Sequence, residues 1–231
     1  MIRIVIISDT HGKHSQIKHA LGDIPDGDIL IHAGDVSNVG DFSDIERFIN
    51  WFNSQPFDDK VFIAGNHDFG FERDRYAATI RVRELQEEGW DIHYLEDSGV
   101  EIKGLKFWGT PITSPFFNWA FMEESDKRVE HWNLIEDDTD ILITHGPPYK
   151  ILDFSKYGSE HCGCPYLEAA VKNRIKPLVH TFGHIHGEYG TEEGMDTLFI
   201  NASTLNERYM VRNKPIVVDV DPINKTATLV K

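Results

Sequence analysis

Short β-branched runs, most of them followed at once by residue types that bind metal, constrain this chain more than any other feature. The runs are IRIVIIS (2–8), DILIHA (28–33), KVFIA (60–64), DILIT (140–144), PLVHTF (177–182), TLFIN (197–201) and PIVVDV (215–220). Continuous apolar runs of this length suit strands buried on both faces. Helical patterns lie between them. Over 42–52 the apolar residues Phe42, Ile45, Phe48, Ile49 and Phe52 recur with the helical period, and Asp44, Glu46, Arg47 and Asn50 occupy the other side. Similar but less regular patterns cover 74–88, 123–135 and 164–173. Strands alternating with helices place the chain in the α/β class. GVEIKGLKFWGT (99–110) reads instead as a hairpin turning near Gly104, so some antiparallel pairing is expected. No repeat, low-complexity tract or linker divides the sequence, and the 231 residues are expected to form a single domain, 1–231.

The carboxyl ends of the runs carry the chemistry. After the first come Asp9 and His11, and after the second Gly34 and Asp35. After the third come Gly65, Asn66, His67 and Asp68. DILIT is followed by His145 and Gly146, and PLVHTF by Gly183, His184, Ile185 and His186. In open α/β sheets, ligands bind beyond the carboxyl ends of the strands. Five such ends would gather their polar groups on one edge. Histidines two apart point the same way if their segment is extended, which is the expectation for His184 and His186.

Asp9, His11, Asp35, Asn66, His145, His184 and His186 make seven nitrogen and oxygen donors. Seven exceeds the three or four protein ligands of one zinc-like site. The set fits two metals if one carboxylate bridges them, an arrangement that serves phosphate-ester hydrolysis. Nitrogen-plus-oxygen ligation suits Mn, Fe, Zn or Co better than copper(I) or iron–sulfur chemistry.

Net charge bounds the partners. Lys and Arg number 23 against 38 Asp and Glu, a net charge of −15. That argues against polymeric nucleic acid and anionic membrane, which need a cationic surface. A small anionic substrate remains compatible, because bound cations reverse the local sign. The only cysteines are Cys162 and Cys164, too few for a disulfide framework, which points to a reducing compartment. The early apolar run, Ile4 to Ile7, is shorter than a signal-peptide core. A cytoplasmic location is expected.

The ordered motifs D-x-H, G-D, G-N-H-D, H-G and G-H-x-H, spread over residues 9 to 186, resemble those of the calcineurin-like metallophosphoesterase superfamily. The spacings of 26 residues from Asp9 to Asp35 and 31 from Asp35 to Asn66 agree with that family's. THGPP, GCPYLEAAV, FGHIHGEYG and INAST…NKPIVVDVD, mainly within 140–221, are similar to the small fetal-brain-protein type of metallophosphoesterase, a phosphodiesterase subgroup. Many superfamily members carry GNHE where this chain has GNHD, so Asp68 keeps the carboxylate on a shorter arm.

The resemblance implies a four-layer αββα sandwich of two mixed β-sheets flanked by helices. It implies a dinuclear centre in which Asp9, His11 and His186 hold one ion, Asn66, His145 and His184 hold the other, and Asp35 bridges. A bridging hydroxide would attack phosphorus, and His67 would act as general acid or charge stabiliser without being a ligand. The expected cofactors are two divalent ions, manganese first, with Fe, Zn, Co and Mg as alternatives. The expected substrate is a small phosphodiester, with cyclic nucleotides as one class; a homodimer is left open. Phosphomonoester or protein Ser/Thr phosphatase activity is the rival enzymatic reading. A nucleotide-binding regulator with little turnover is the rival of another class, disfavoured by the full ligand set.

Several residues stand outside the signature. His32 and His180 fall within apolar runs and read as core histidines. His161 is a weaker candidate for the pocket wall, and Cys162 and Cys164 read as free thiols. Asn201 and Ser203 read equally as turn caps or as site neighbours. Arg73, Arg75 and Arg208 read equally as phosphate contacts or as surface charges. Residues 111–126, with two prolines and several aromatics, form a candidate loop near the site.

Overall fold

The computed structural model describes residues 1–73 and 75–230, with only the backbone of Phe42 and of residues 75–78. In chain order the strands are β1 Ile2–Ile7, β2 Ile29–Ala33, β3 Asp59–Ile63, β4 Ile92–Tyr94, β5 Ser98–Ile102, β6 Leu105–Thr110 and β7 Ile141–Thr144. They continue as β8 Phe154–Ser155, β9 Glu160–His161, β10 Val179–Phe182, β11 Gly190–Glu193, β12 Leu198–Asn201, β13 Ile216–Asp221 and β14 Thr226–Leu229. The helices are α1 Ile17–Leu21, α2 Phe42–Asn53, α3 Phe69–Arg73, α4 Arg75–Glu87, α5 Ser125–Leu134 and α6 Pro165–Ala170.

The strands form two six-stranded sheets, ordered β14-β13-β1-β2-β3-β4 and β11-β12-β10-β7-β6-β5, and β8 pairs with β9 as a separate ribbon. Both sheets are mixed. β1 through β4 run parallel, β13 adds antiparallel to β1, and β14 adds antiparallel to β13. In the second sheet β6, β7, β10 and β12 run parallel, with β5 and β11 antiparallel at the edges. The expected hairpin is β5–β6, closed by Lys103 and Gly104 at φ 52° and 79°, the paired positive φ of a tight hairpin turn.

Alternation along the strands makes two apolar layers. Ile4, Ile6, Ile29, Ile31, Val61 and Ile63 of the first sheet share a core with Phe107, Ile141, Ile143, Val179 and Ile200 of the second. The intervening Val5, Ile7, Leu30 and Phe62, and Leu142, Phe182 and Phe199, point outward to the helical layers. On α2 the buried stripe is Ile45, Phe48, Ile49 and Phe52, and Phe48 and Phe52 meet Phe62 edge-on at 5.4 and 5.7 Å between centroids. Asp41 caps α2 by accepting from the amides of Ser43 and Asp44, worth about 1 kcal/mol. Two inner sheets between outer helices make the four-layer αββα sandwich.

The helix read at 74–88 is α4, its first residue, Asp74, lying outside the described residues; that at 123–135 is α5. The pattern at 164–173 becomes α6 followed by a π-helical turn, Val171–Ile175, that ends at Lys176 in a left-handed conformation.

In-register parallel pairing brings strand ends to a common edge. Ile7 lies beside His32, and Ala33 beside Ile63. In the other sheet Thr110 lies beside Thr144, and Phe182 beside Asn201. The sheets are tied together there: Ser8 bridges Ser203, and the Thr204 amide donates to the Ser8 carbonyl at 2.8 Å.

Candidate metal centre

All seven sequence-predicted donors meet at this joint edge. Asp9 and His11 follow β1, Asp35 follows β2, Asn66 follows β3, His145 follows β7, and His184 and His186 follow β10. Backbone strain marks the place. Asp9, His11, Asp35 and His184 have φ of 51°, 43°, 55° and 67°. Residues with a Cβ avoid this region, at a cost of roughly 1–2 kcal/mol each, and such strain collects at functional sites. The fold holds them with hydrogen bonds: the Asp9 and His11 amides donate to the Gly34 and Asp35 carbonyls at 2.9 and 3.0 Å. Gly34 has φ 96°, and a Cβ there would lie 2.5 Å from His145 Nδ1, so only glycine fits.

The donors form two clusters that share one carboxylate. In the first, His11 Nε2 is 3.2 Å from His186 Nε2, and His186 Nε2 is 3.3 Å from Asp9 Oδ1. In the second, Asn66 Oδ1 is 3.0 Å from His145 Nε2 and 2.8 Å from His184 Nδ1. Asp35 Oδ2 lies between them, 3.6 Å from His11 Nε2 and 3.2 Å from His145 Nε2. His184 and His186 therefore face different clusters. They do not sit on an extended segment pointing one way: His184 is left-handed and His186 opens a 3₁₀ turn, which splits the two rings.

The donor set fits divalent cations on its own chemistry. His145 Nδ1 donates to the Ala33 carbonyl at 3.0 Å, and His186 Nδ1 to the Asn206 carbonyl at 3.2 Å. A carbonyl only accepts, so each Nδ1 carries hydrogen and each Nε2 turns inward as a lone pair or a second N–H. This is how proteins orient imidazole ligands. Burial disfavours charge on His145, but Asp35 and Asp9 outweigh it and raise the ring to about 9. His186 is raised likewise, against its own burial, by Asp9 and Asp35. Burial also opposes ionisation of the two carboxylates. His186 nonetheless holds Asp9 below its usual range, and His145, with His11 and His67, holds Asp35 well below it. Burial lowers His11 and His184 to about 4, so both rings are neutral at pH 7, as metal binding requires. Without metal, the proton on His145 supplies positive charge that metal ions would otherwise provide.

Neighbouring groups brace the donors. His184 N–H donates to both oxygens of Asp9, at 3.0 and 3.1 Å, and Ser203 Oγ lies 2.9 Å from Asp9 Oδ2. Asn201 positions Ser203, 2.8 Å from its hydroxyl, and donates to the Ile185 carbonyl at 3.0 Å. Both residues are thus neighbours of the site as well as turn formers. Asp68 reaches far enough despite its shorter arm: it accepts from the amides of Val36, Ser37 and Gly65 and from the Ser37 hydroxyl, at 2.7 to 3.1 Å. It thereby ties the Asp35 turn to the Asn66 turn. Burial and the Asp35 charge push it up to about 6.

His67 stands beside the donors. Its amide donates to Asp35 Oδ1 at 2.8 Å, its Nδ1 to the Asn38 carbonyl at 2.5 Å, and its ring lies 4.6 Å from that of His11. Trp119 stacks on it at 4.1 Å, and the Ala120 amide donates to the Asn66 carbonyl at 3.0 Å. The 111–126 loop does border the site. Sequence reasoning missed Trp119, the Asn38 and Asn206 carbonyls, and Tyr209, whose ring lies 5.0 Å from both His11 and His186. None belongs to a periodic pattern; the aromatic richness of 111–126 was the one available signal. Of the arginines, Arg73 sits over the Phe69 ring at 4.6 Å and Arg208 is exposed beside Tyr209, and the Arg75 side chain is outside the description. His32 and His180 are core residues, each paired with a threonine, and the cysteines are free thiols.

Fold and donor set together define a metal-binding α/β protein. The chain belongs to the calcineurin-like phosphoesterase family, which matches residues 2–188. That is a family of metal-dependent phosphoester hydrolases that typically bind two divalent ions. The chain is 36% identical to human metallophosphoesterase domain-containing protein 1, covering 94% of this chain and 71% of that protein. It is 37% identical to a UPF0046 protein of Caenorhabditis elegans, covering 97% of this chain and 83% of the relative. A crystal structure from Thermus thermophilus shares the fold with a TM-score of 0.66 at 13% identity, covering 100% of this chain and 98% of that one. Among the described residues no helix is long and apolar enough to cross a membrane.

Proposed function

We propose that the chain is a cytoplasmic phosphodiesterase that works with two divalent ions, manganese foremost, on small diesters, with cyclic nucleotides as one class. The observation that carries the reading is the place of Asp35, where the two donor clusters meet. Asp9, His11 and His186 would hold one ion, Asn66, His145 and His184 the other, and Asp35 would bridge. When bound, the ions supply a nucleophile at neutral pH and offset charge growing on the phosphoryl oxygens.

The side chains do the rest. Asn38 fixes the His67 ring through Nδ1, so a proton held at Nε2 is free to pass to the leaving oxygen. Trp119 packs against that ring and limits its rotation. The diester preference is supported by the ion pairs at the donors, none of which involves an arginine among the described residues: with phosphate charge offset mainly by the ions, a monoanionic diester fits better than a dianionic monoester. Manganese is supported by the mixed nitrogen–oxygen set.

The test compares kcat/KM for bis-p-nitrophenyl phosphate, p-nitrophenyl phosphate and 2′,3′- and 3′,5′-cyclic nucleotides with Mn, Fe, Zn, Co and Mg. A monoester advantage above about tenfold, or ~1.4 kcal/mol in transition-state binding, overturns the diesterase reading in favour of a phosphatase. Metal analysis of Asp35→Ala should show loss from both positions, and two retained equivalents would remove the bridge.

A further inference from the structure

We infer that the cleft beside the metal centre binds the substituent that stays on phosphorus, and that this substituent is a planar aromatic or heteroaromatic ring. The inference rests on the diesterase reading. Hydrolysis of a diester expels one ester group, beside His67, and leaves the other attached. A monoester has no second group to place.

A cleft of about 520 Å³ opens next to the donors, a volume in the range of small-molecule sites. His184 and His186 line it, and His67, placed to meet the departing group, takes no part in its wall. Its large side chains are mostly aromatic: Phe116, Phe154, Tyr157, His161 and Tyr209. The hydrolytic steps at the metal centre use none of them, and Phe116, Phe154, Tyr157 and Tyr209 all remain substantially exposed.

The walls are built rather than loose. Phe154 and His161 are paired across the β8–β9 ribbon, which belongs to neither sheet, with ring centroids 5.3 Å apart and planes at 72°. His161 Nδ1 donates to Asp153 at 2.6 Å, and the buried Asp153 also accepts from the amides of Lys150 and Gly163, both at 2.9 Å. That chain of bonds sets the His161 ring plane. The Tyr157 hydroxyl donates to the Glu207 carbonyl at 3.2 Å and so ties the ribbon loop to the segment carrying Tyr209. Lys13 Nζ in turn donates to the Tyr209 carbonyl at 2.5 Å. Lys156 pairs with Glu207 at 3.8 Å and Glu160 adds a further carboxylate, so the lining has no spare cation to draw an anion and ring contact is its main attraction. Walls of rings favour a planar guest through stacked and edge-to-face contacts. Phe154 and His161 are therefore the specificity-determining residues.

The experiment uses the metal-loaded enzyme and three diesters that all release p-nitrophenolate: methyl, cyclohexyl and phenyl p-nitrophenyl phosphate. Each kcat/KM is divided by the uncatalysed rate of the same ester. The phenyl ester should exceed the methyl ester by about tenfold or more, mainly through KM, with cyclohexyl between them. In Phe154→Ala the phenyl-to-methyl ratio should fall to within about twofold of unity, and Phe154→Leu, which keeps apolar bulk without a ring, should fall part of the way. Thermal melts of both variants report on folding. Equal kcat/KM for phenyl and methyl esters, a cyclohexyl ester as good as phenyl, or a ratio unmoved by folded Phe154→Ala overturns the inference alone. Turnover of p-nitrophenyl phosphate with none of the diesters hydrolysed overturns the diesterase reading as well.

Discussion

Gly183 packs against Asp9 so closely that a Cβ on the glycine would overlap the carboxylate oxygen Oδ2 and the Ser8 hydroxyl. The following amide, His184 N–H, donates to both oxygens of that carboxylate, and Ser203 approaches it from the end of β12. One carboxylate is thus gripped by the ends of β1, β10 and β12, from both sheets. The grip requires a residue with no side chain at 183.

Gly183→Ala should therefore displace Asp9, since Ser8 and the strand ends have little room to yield. Overpacking of this kind costs about 1–3 kcal/mol. The larger expected effect is on metal: the position served by Asp9, His11 and His186 should lose most of its occupancy, while the Asn66, His145 and His184 position is affected less. Metal analysis after gel filtration checks this. Two full equivalents at wild-type affinity would show that Asp9 does not hold a metal from this position.

His67→Ala should keep both metals and lose turnover. The ring shares a possible donor group with His11 and Asp35, but each of the two proposed ions keeps three other side chains and Asp35 without it, and its Nδ1 is engaged by Asn38. General acid catalysis is worth about 10²–10⁴-fold. The loss should be far larger for alkyl leaving groups than for p-nitrophenolate, which departs without a proton. A uniform loss across leaving groups would assign His67 to charge stabilisation instead.

Metal affinity should tighten as pH rises. His145 sits at about 9 without metal, mainly because Asp35 and Asp9 overcome its burial, and His186 is raised by the same carboxylates. His145 must be neutral to ligate, so metal binding below pH 9 releases its proton, and the raised His186 adds in the same direction. Each released proton contributes about tenfold in affinity per pH unit. Calorimetry in buffers of different ionisation enthalpy should count at least one proton released at pH 7.5. Zero protons, with affinity flat from pH 7 to 9, would contradict these assignments.

The convergence of the candidate donors was legible because each lies within a few residues of an apolar run: Asn66 three past β3, His145 directly past β7. Chain order alone then brings the donors to one edge. What was not legible depends on distance or on small size. Trp119 reaches His67 from 52 positions away, through a loop with no period to read. β11, GTEE, and β14, TATL, are short, largely polar edge strands that carry no apolar signal. α1 and α3 are five residues each, little more than one turn, and too short for an amphipathic stripe. The split between His184 and His186 depends on a positive φ at a residue that normally avoids it, which a local pattern does not encode.

His180 gives a test of stability away from the metals. It is buried on β10, its Nε2 lies 2.9 Å from Thr144 Oγ1, and its Nδ1 has no hydrogen-bond partner among the described residues. Thr144 Oγ1 also lies 2.7 Å from the Gly146 carbonyl and must donate to it, so it accepts from His180 Nε2–H. Burial lowers the ring to about 3. In the unfolded chain it titrates near 6.5, so between about pH 6.5 and 3 the unfolded state binds the extra proton. The residue's contribution is complete above pH 6.5 and is lost as pH falls toward 3, at a slope approaching ~1.4 kcal/mol per pH unit. His180→Gln keeps an N–H for Thr144 and has no such titration. The stability of wild type relative to the variant, from urea unfolding of the metal-free proteins, should be constant above pH 7 and fall by roughly 1 kcal/mol or more per unit between pH 6 and 4. A difference that stays constant over that range would show that His180 accepts a proton in the folded state as readily as in the unfolded one.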